Sequence, residues 1–292
     1  MITAGLILLM IVMYTAQSLF CKLYSVKYPG EATDSSSVFS IVVGATIAMS
    51  GLIVCGFQFR PHGATLLLGL LNAAVIVGYN LCMVQASTGG PYSIQMVCVL
   101  SGGILVPALF SLTLGDRLSW MQWIAVLGIL ISLVLVNHRA QDQQVKRKSF
   151  FVHCVSLFFL NGMYGILLDV QQRLTGTEDK EEMIILTYAG AALASLGLML
   201  CKHRRRCFSS FRQTKQSLVF LCVCAVASTL AIHLLVCIIP LVNITVLYTF
   251  DNAGVLLLSV IASCIFFGEK LSKINAVGCV LMLIGLTVIS VF

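Results

Sequence analysis

Ten apolar stretches, each close to the length that crosses a bilayer, take up almost the whole of this 292-residue chain, over residues 2–21, 36–56, 64–86, 92–114, 119–137, 150–171, 183–201, 216–238, 242–267 and 273–292. A helix needs about 20 mostly apolar residues to cross hydrocarbon, so ten spans use roughly 200 residues and leave about 90 for every loop and end. That leaves no room for an extramembrane catalytic, nucleotide-binding or DNA-binding domain. Composition agrees, with 59% hydrophobic and 10% charged residues against about 25% charged in a soluble domain. Unsatisfied backbone groups are costly in hydrocarbon, so each stretch is predicted helical, and the period-2 alternation of a membrane barrel is missing. The first stretch has no Lys or Arg ahead of it and no evident cleavage site, so it reads as a span rather than a removable leader.

The net charge of +7 would point a soluble protein toward nucleic acid. Here the basic residues cluster between apolar runs, where they set orientation and meet anionic lipid. One side of the alternating path carries 14 of them: Lys22, Lys27, Arg139, Lys146, Arg147, Lys148, Lys202, Arg204, Arg205, Arg206, Arg212, Lys215, Lys270 and Lys273. The other side carries four: Arg60, Arg117, Arg173 and Lys180. By the positive-inside rule the richer side is cytoplasmic and both termini are outside. Most of the twelve cysteines fall within apolar runs without metal-type spacing, as at Cys82, Cys98, Cys154, Cys222, Cys264 and Cys279, and are read as reduced packing residues. No metal or cofactor is implied.

Sliding the chain by 153 residues brings GDRLS, Gly115 to Ser119, onto GEKLS, Gly268 to Ser272. Each copy follows one apolar run and precedes another that closes its half. A fainter echo pairs Met13 and Tyr14 with Met163 and Tyr164, 150 residues on. The chain therefore divides into a five-helix repeat over 1–137, a basic central loop over 138–149 and a second five-helix repeat over 150–292. Five is odd, so the second repeat enters the bilayer the other way up. The expected fold is all-α membrane, ten transmembrane helices in two inverted five-helix repeats, an architecture of secondary transporters. Exchange of conformations between two such halves turns an outward-open molecule into an inward-open one.

With these features the chain resembles the drug/metabolite transporter superfamily in its EamA-type ten-helix form. The likeness rests on the two five-helix halves, on GDRLS and GEKLS at the fourth-to-fifth and ninth-to-tenth junctions, and on the long apolar helix after each. It spans essentially the whole chain and is stronger in the second half, in NAGVLLLSVIASCIFFGEKLSKINAVGCVLMLIGLTVISV. The resemblance implies a carrier in a bacterial-type cytoplasmic membrane, export as its direction, and a central cavity lined by the helices before each junction. It also implies cytosolic termini, opposite to the charge count.

Polar groups at membrane depth are expensive and are functional candidates by default. Asp251, in VLYTFDNAGVLL, is the acid deepest within an apolar stretch and is the first candidate for a substrate or proton site, since desolvation favours its protonated form. A helix-interior Asp bonded to backbone or to Tyr248 is the plainer alternative. His233 is a second titratable group, and the 153-residue offset places it on Asn80. Gln17, Gln95, Tyr248 and Asn252 are further candidates for a polar cavity, as are Asn72, Gln85 and Asn161, although such side chains also bond between helices. Pro107, with Gly102 and Gly103 beside it, is the expected hinge of the fourth span. Lys22 is expected to snorkel to the interface, and Glu269 and Asp116 to fix their own hairpins. The rows Gly44, Ala48, Gly51 and Gly190, Ala194, Gly197 fit close packing within the bundle or a homodimer face.

The leading expectation is a secondary active transporter of a small organic metabolite or drug-like solute, with proton coupling through Asp251. The alternative is a lipid-handling, flippase-like or structural membrane protein. An intramembrane enzyme would need two catalytic groups at one depth, and no phosphate-cradling glycine loop supports ATP-driven pumping.

Overall fold

A computed structural model describes residues 2–114, 119–137, 147–175, 179–203, 211, 214–238, 241–242, 244–269 and 272–291. Those residues form ten helices: α1 (Ile2–Lys27), α2 (Ala32–Val54), α3 (Gly63–Gly89), α4 (Tyr92–Ser111), α5 (Trp120–Asn137), α6 (Arg147–Thr175), α7 (Lys180–His203), α8 (Lys215–Ile238), α9 (Ile244–Phe267) and α10 (Lys273–Val291). No strand occurs among the described residues. Eight of the helices are long and apolar enough to cross a membrane, while α5 and α10 are shorter apolar helices. The apolar stretches match the helices closely. The main difference is that α1 runs on to Lys27 and that α6 extends from Arg147 to Thr175, because helical hydrogen bonding continues where the side chains turn polar. Of the central segment 138–149, residues 138–146 lie outside the described residues and the rest open α6.

The principal partnerships join helices from opposite ends of the sequence. α1 packs on α8, α2 on α7, α3 on α6 and α7, α4 on α6, and α5 on α10, with α9 against α1, α4 and α10. Large apolar side chains point outward in rows, as with Leu66, Leu67, Leu70 and Leu71 on α3 and Trp120, Trp123, Ile124 and Leu127 on α5, the arrangement suited to a lipid surround. The interior packs tightly through small residues. A Cβ on Gly44 would lie 2.7 Å from the Tyr188 carbonyl oxygen, one on Gly190 2.7 Å from Ala73, and one on Gly51 2.8 Å from Ile185. These positions are used within the bundle. Gly197 meets nothing within 4 Å.

The crossing of α4 and α6 is the closest of all. A side chain on Gly102 would strike the Phe158 backbone, one on Gly103 would lie 2.6 Å from Asn161 Nδ2, and one on Gly162 2.8 Å from the Gly102 carbonyl. α4 runs unbroken through Pro107, and a Cβ on Gly165 would sit 3.2 Å from that proline ring. The expected hinge glycines are thus positions of close helix approach.

The serine that closes each junction motif is described in both copies. Gly268 has φ +61, the left-handed conformation that glycine adopts freely, and ends α9. Ser119 accepts the Gln122 N–H at 3.2 Å while Gln122 Oε1 accepts the Ser119 N–H at 2.8 Å, and Ser272 accepts the Asn275 N–H at 3.2 Å. The serine of each motif therefore caps the helix that follows. Residues 115–118 and 270–271 lie outside the described residues.

Candidate functional site

Four tyrosines meet in the middle of the bundle. Tyr14 lies midway along α1, Tyr79 on α3, Tyr164 on α6 and Tyr188 on α7. The side chain of Tyr188 hydrogen-bonds that of Tyr164 and is within electrostatic reach of Tyr14 and Tyr79, and Tyr79 is within reach of Tyr164 and Tyr92. All four keep some accessible surface although neighbouring helices enclose them. Only the Tyr14 and Tyr164 echo pointed to this cluster in the sequence, and Tyr79 and Tyr188 were missed.

Two of the candidate residues carry a buried acceptor without a donor among the described residues. Gln17, one turn along α1 from Tyr14, has its Oε1 buried and without a hydrogen-bond partner, and Asp251 on α9 has its Oδ1 in the same condition. Asp251 shares a helix face with Leu247 and Gly254, at i−4 and i+3. Leu247 packs in one cluster with Met10, Ile7 and Tyr14, and a Cβ on Gly254 would lie 2.8 Å from Ile11. The carboxylate is therefore held against the face of α1 that carries Ile7, Ile11 and Tyr14. Asn252 is half-buried on the next position of α9, and the Tyr248 side chain lies outside the described residues.

Of the remaining candidates, Asn72 on α3 is wholly buried with neither side-chain polar atom hydrogen-bonded among the described residues, whereas His233, Asn80, Gln95 and Asn161 are bonded within the bundle. His233 Nε2 is 2.8 Å from Ser50 Oγ on α2, near the end of the bundle away from the basic loops. Asn80 donates to Ser40 Oγ at 2.9 Å. Gln95 is wholly buried and donates to the Met83 carbonyl at 3.0 Å and to Ser87 Oγ at 3.1 Å. Asn161 donates to the Val99 carbonyl at 2.8 Å, tying α6 to α4. These amides hold neighbouring helices together, and they do not converge with Asp251.

Lys22 departs from expectation. It does not snorkel into water but is 6% exposed, with Nζ 3.3 Å from Glu269 Oε1 and 3.0 Å from the Gly90 carbonyl, and 4.4 Å from the centre of the Phe267 ring. Glu269 in turn accepts the Tyr92 N–H at 2.5 Å, the Ser93 N–H at 3.2 Å and the Ser93 hydroxyl at 2.7 Å. The glutamate of GEKLS thus caps α4 rather than its own hairpin, where the positive end of the helix dipole favours a carboxylate. One turn deeper, Tyr92 shares a hydrogen bond of 2.5 Å with Ser18 and donates to Ser259 at 3.3 Å. Together these contacts close the basic face between α1, α4 and α9. On the same face Lys202, at the end of α7, binds Glu31 at 2.7 Å and Asp34 at 2.9 Å.

A second carboxylate binds helix ends on the opposite face. Asp179, just before α7, accepts the His62 N–H at 2.8 Å, the Thr65 hydroxyl at 2.6 Å and the His62 ring Nδ1 at 2.9 Å. Desolvation pushes this carboxyl upward, but the donors from Thr65 and His62 outweigh it and hold it below the ordinary carboxylate value. The eleven described cysteines are all free, and no cluster suited to a metal ion occurs among the described residues.

No family model and no curated relative matches the chain. Among solved structures, one described only as "Crystal structure of protein" superposes with a TM-score of 0.63 at 13% sequence identity, over 98% of this chain and 98% of that one. The likeness concerns the fold alone: another protein of known structure follows this helical path from end to end.

Proposed function

We propose that the chain is a secondary carrier of a small organic solute, with all ten helices crossing the cytoplasmic membrane and its two five-helix halves inverted relative to each other. The observation that carries this reading is the pattern of helix partners. Exchange each helix with the one five places along and the main partnerships between the halves map onto one another: α1 on α8 becomes α6 on α3, α3 on α7 becomes α8 on α2, and α4 on α6 becomes α9 on α1, whereas α2 on α3 and α1 on α3 have no comparable counterpart among the described residues. α2 with α7, α4 with α9, and α5 with α10 map onto themselves. The ends agree as well, since the close of α1 and α9 meets the start of α4 at one face. Such a two-fold relation in the membrane plane makes alternating access a matter of swapping the conformations of two similar halves.

In this reading the Lys22–Glu269 contacts are the closed gate on the cytoplasmic side, the side that the lysine and arginine count assigns. The EamA-type resemblance of the junction motifs supports a carrier with export as the direction, and the position of Asp251 inside an apolar helix supports it as the proton site. No covalent chemistry is asked of the chain.

The test is counterflow in proteoliposomes. Vesicles loaded with an unlabelled pool of small organic solutes should accumulate at least one of the same solutes in labelled form, saturably and only when the protein is present. Absence of accumulation across the pool overturns the carrier reading. With a transported solute in hand, Asp251→Asn should abolish the response to an imposed pH gradient, and an unchanged response removes the proton assignment.

A further inference from the structure

We propose that Cys98 and Cys154 form a redox-sensitive pair, which a two-electron oxidant of the peroxide class joins in a disulfide that ties α4 to α6 and holds the two halves of the chain in the present arrangement. Formation of the bridge stands on how these helices pack, while its consequence for movement rests on the carrier reading.

The register of the closest crossing brings the two thiols together. α4 and α6 run the same way: a Cβ on Gly102 would lie 2.6 Å from the Phe158 Cα, and one turn further along both helices a Cβ on Gly162 would lie 2.7 Å from Val106 Cγ1. One turn before Gly102 stands Cys98, and one turn before Phe158 stands Cys154. Their thiols hydrogen-bond each other, and both are buried. A disulfide needs its two Cα atoms within about 7 Å, which two helices reach only where they cross closely. Other buried thiols are engaged elsewhere. Cys82 of α3 bonds Ser156, and Cys224 Sγ donates to the Gln17 carbonyl at 3.2 Å. An isolated buried cysteine is a small packing residue, but two in contact have a reaction open to them that one alone does not.

In that reaction one sulfur attacks a peroxide oxygen, the O–O bond breaks, and the released oxygen takes the thiol proton and leaves as water, which gives a sulfenic acid. The second sulfur then displaces the hydroxyl, which takes the second thiol proton and leaves as water while the S–S bond forms. Two thiols give up two electrons and two protons, and one peroxide becomes two waters. Contact between the sulfurs favours this second step over further oxidation of the first sulfur. Peroxide is small and uncharged, so it enters an apolar bundle. Because the thiolate is the attacking form and apolar surroundings hold little of it, the pair answers sustained oxidant rather than a brief pulse.

The bridge would join parts that the carrier reading requires to move, since Cys98 lies in the first half and Cys154 in the second. Exchange of the halves makes α9 on α1 the counterpart of α4 on α6. The two crossings differ in closeness. The nearest atoms to a Cβ on Gly254 of α9 belong to the Ile11 side chain, from 2.8 Å, whereas a Cβ on Gly102 of α4 meets backbone of α6. In the carrier reading, swapping the conformations of the halves loosens the tight crossing and tightens the loose one. A bond of about 2 Å between the sulfurs forbids that loosening and stops the cycle in this arrangement.

The test treats the full chain, in detergent and in proteoliposomes, with hydrogen peroxide, alkylates the remaining thiols after denaturation and reads the digest by mass spectrometry. Peptides carrying Cys98 and Cys154 should appear joined in the monomer and come apart on reduction. Cys98→Ser and Cys154→Ser should each abolish the joined species, and Cys82→Ser should keep it. Should a serine variant fail to give a monodisperse protein, Cys98→Ala or Cys154→Ala makes the same comparison. In counterflow with a transported solute, peroxide should slow the parent at least fivefold, reversibly on reduction, and should leave Cys98→Ser unchanged. Recovery of Cys98 and Cys154 unbridged under peroxide that oxidises the exposed Cys201 overturns the pairing, and a complete bridge with unchanged counterflow overturns the lock. The two readings fail separately: transport without a bridge removes this inference and leaves the carrier, whereas a bridge in a protein that moves no solute removes the carrier and leaves the pair.

Discussion

Glu269→Gln isolates the charge on the most heavily bonded side chain of the basic face. The substitution preserves volume and an oxygen for the Tyr92 N–H, so α4 keeps part of its cap. It strips Lys22 of its counterion, leaving a buried ammonium with the Gly90 carbonyl at 3.0 Å and the Phe267 ring at 4.4 Å. Breaking a buried pair from one side costs about 3–5 kcal/mol. Lys22 retains one carbonyl and one ring, which places the expected loss near the lower figure, about 3 kcal/mol. At about 2 °C per kcal/mol for a chain of this size, the apparent thermal midpoint in detergent should fall by about 6 °C. Lys22→Met should cost less, because Glu269 keeps two N–H donors and the Ser93 hydroxyl. In the double variant no unpaired charge remains, and the midpoint should return to within about 2 °C of the parent, since a pair replaced as a unit costs little. If the two single losses simply add in the double variant, Lys22 and Glu269 are not coupled and the description of the basic face is wrong.

Gly102→Ala should lower the same midpoint by an amount corresponding to about 1–3 kcal/mol or more, because its new methyl group meets the Phe158 backbone, whereas Gly197→Ala should change it by no more than about 0.5 kcal/mol. Equal effects would show that the α4–α6 crossing is not as close as described. The Asp179 carboxyl lies below its ordinary value, so its contribution is present above the unfolded-state carboxylate range and is lost as pH falls through the folded value. Melting curves from pH 7 down to pH 3 should therefore fall more steeply for the parent than for Asp179→Asn, and parallel curves would contradict the assignment.

The helices were legible because hydropathy acts over about 20 residues at a time, and α1 to α10 fall where the apolar runs do, eight of them long and apolar enough to cross a membrane. The caps at Ser119 and Ser272 were legible through repetition, since the two motifs carry the same serine at the same turn. Lys22 and Glu269 were not. Each looks interfacial within its own span, and their meeting is a contact across 247 residues that no local pattern encodes. Gln95, Asn80 and Asn161 were recognisable as polar groups at depth, but whether an amide faces a hollow or a neighbouring backbone depends on which helices adjoin, and that is settled by packing. Pro107 and its glycines illustrate the same limit, because the pattern for a bend and the pattern for a tight crossing use the same residue types.

The interleaving of the two halves also sets an order of assembly. Apart from the contacts among α1 to α4 themselves, every major partner of a helix before residue 137 comes after residue 147. A ribosome that has released five helices into the membrane has therefore made none that has met its chief mate. α6 is the first to offer one, and it seats against α3 and α4 together. Until it emerges, the glycine-lined flank of α4 waits against lipid, so the nascent chain stays loosely gathered for half of its synthesis and tightens from the middle outward as α7, α8 and α10 arrive in turn.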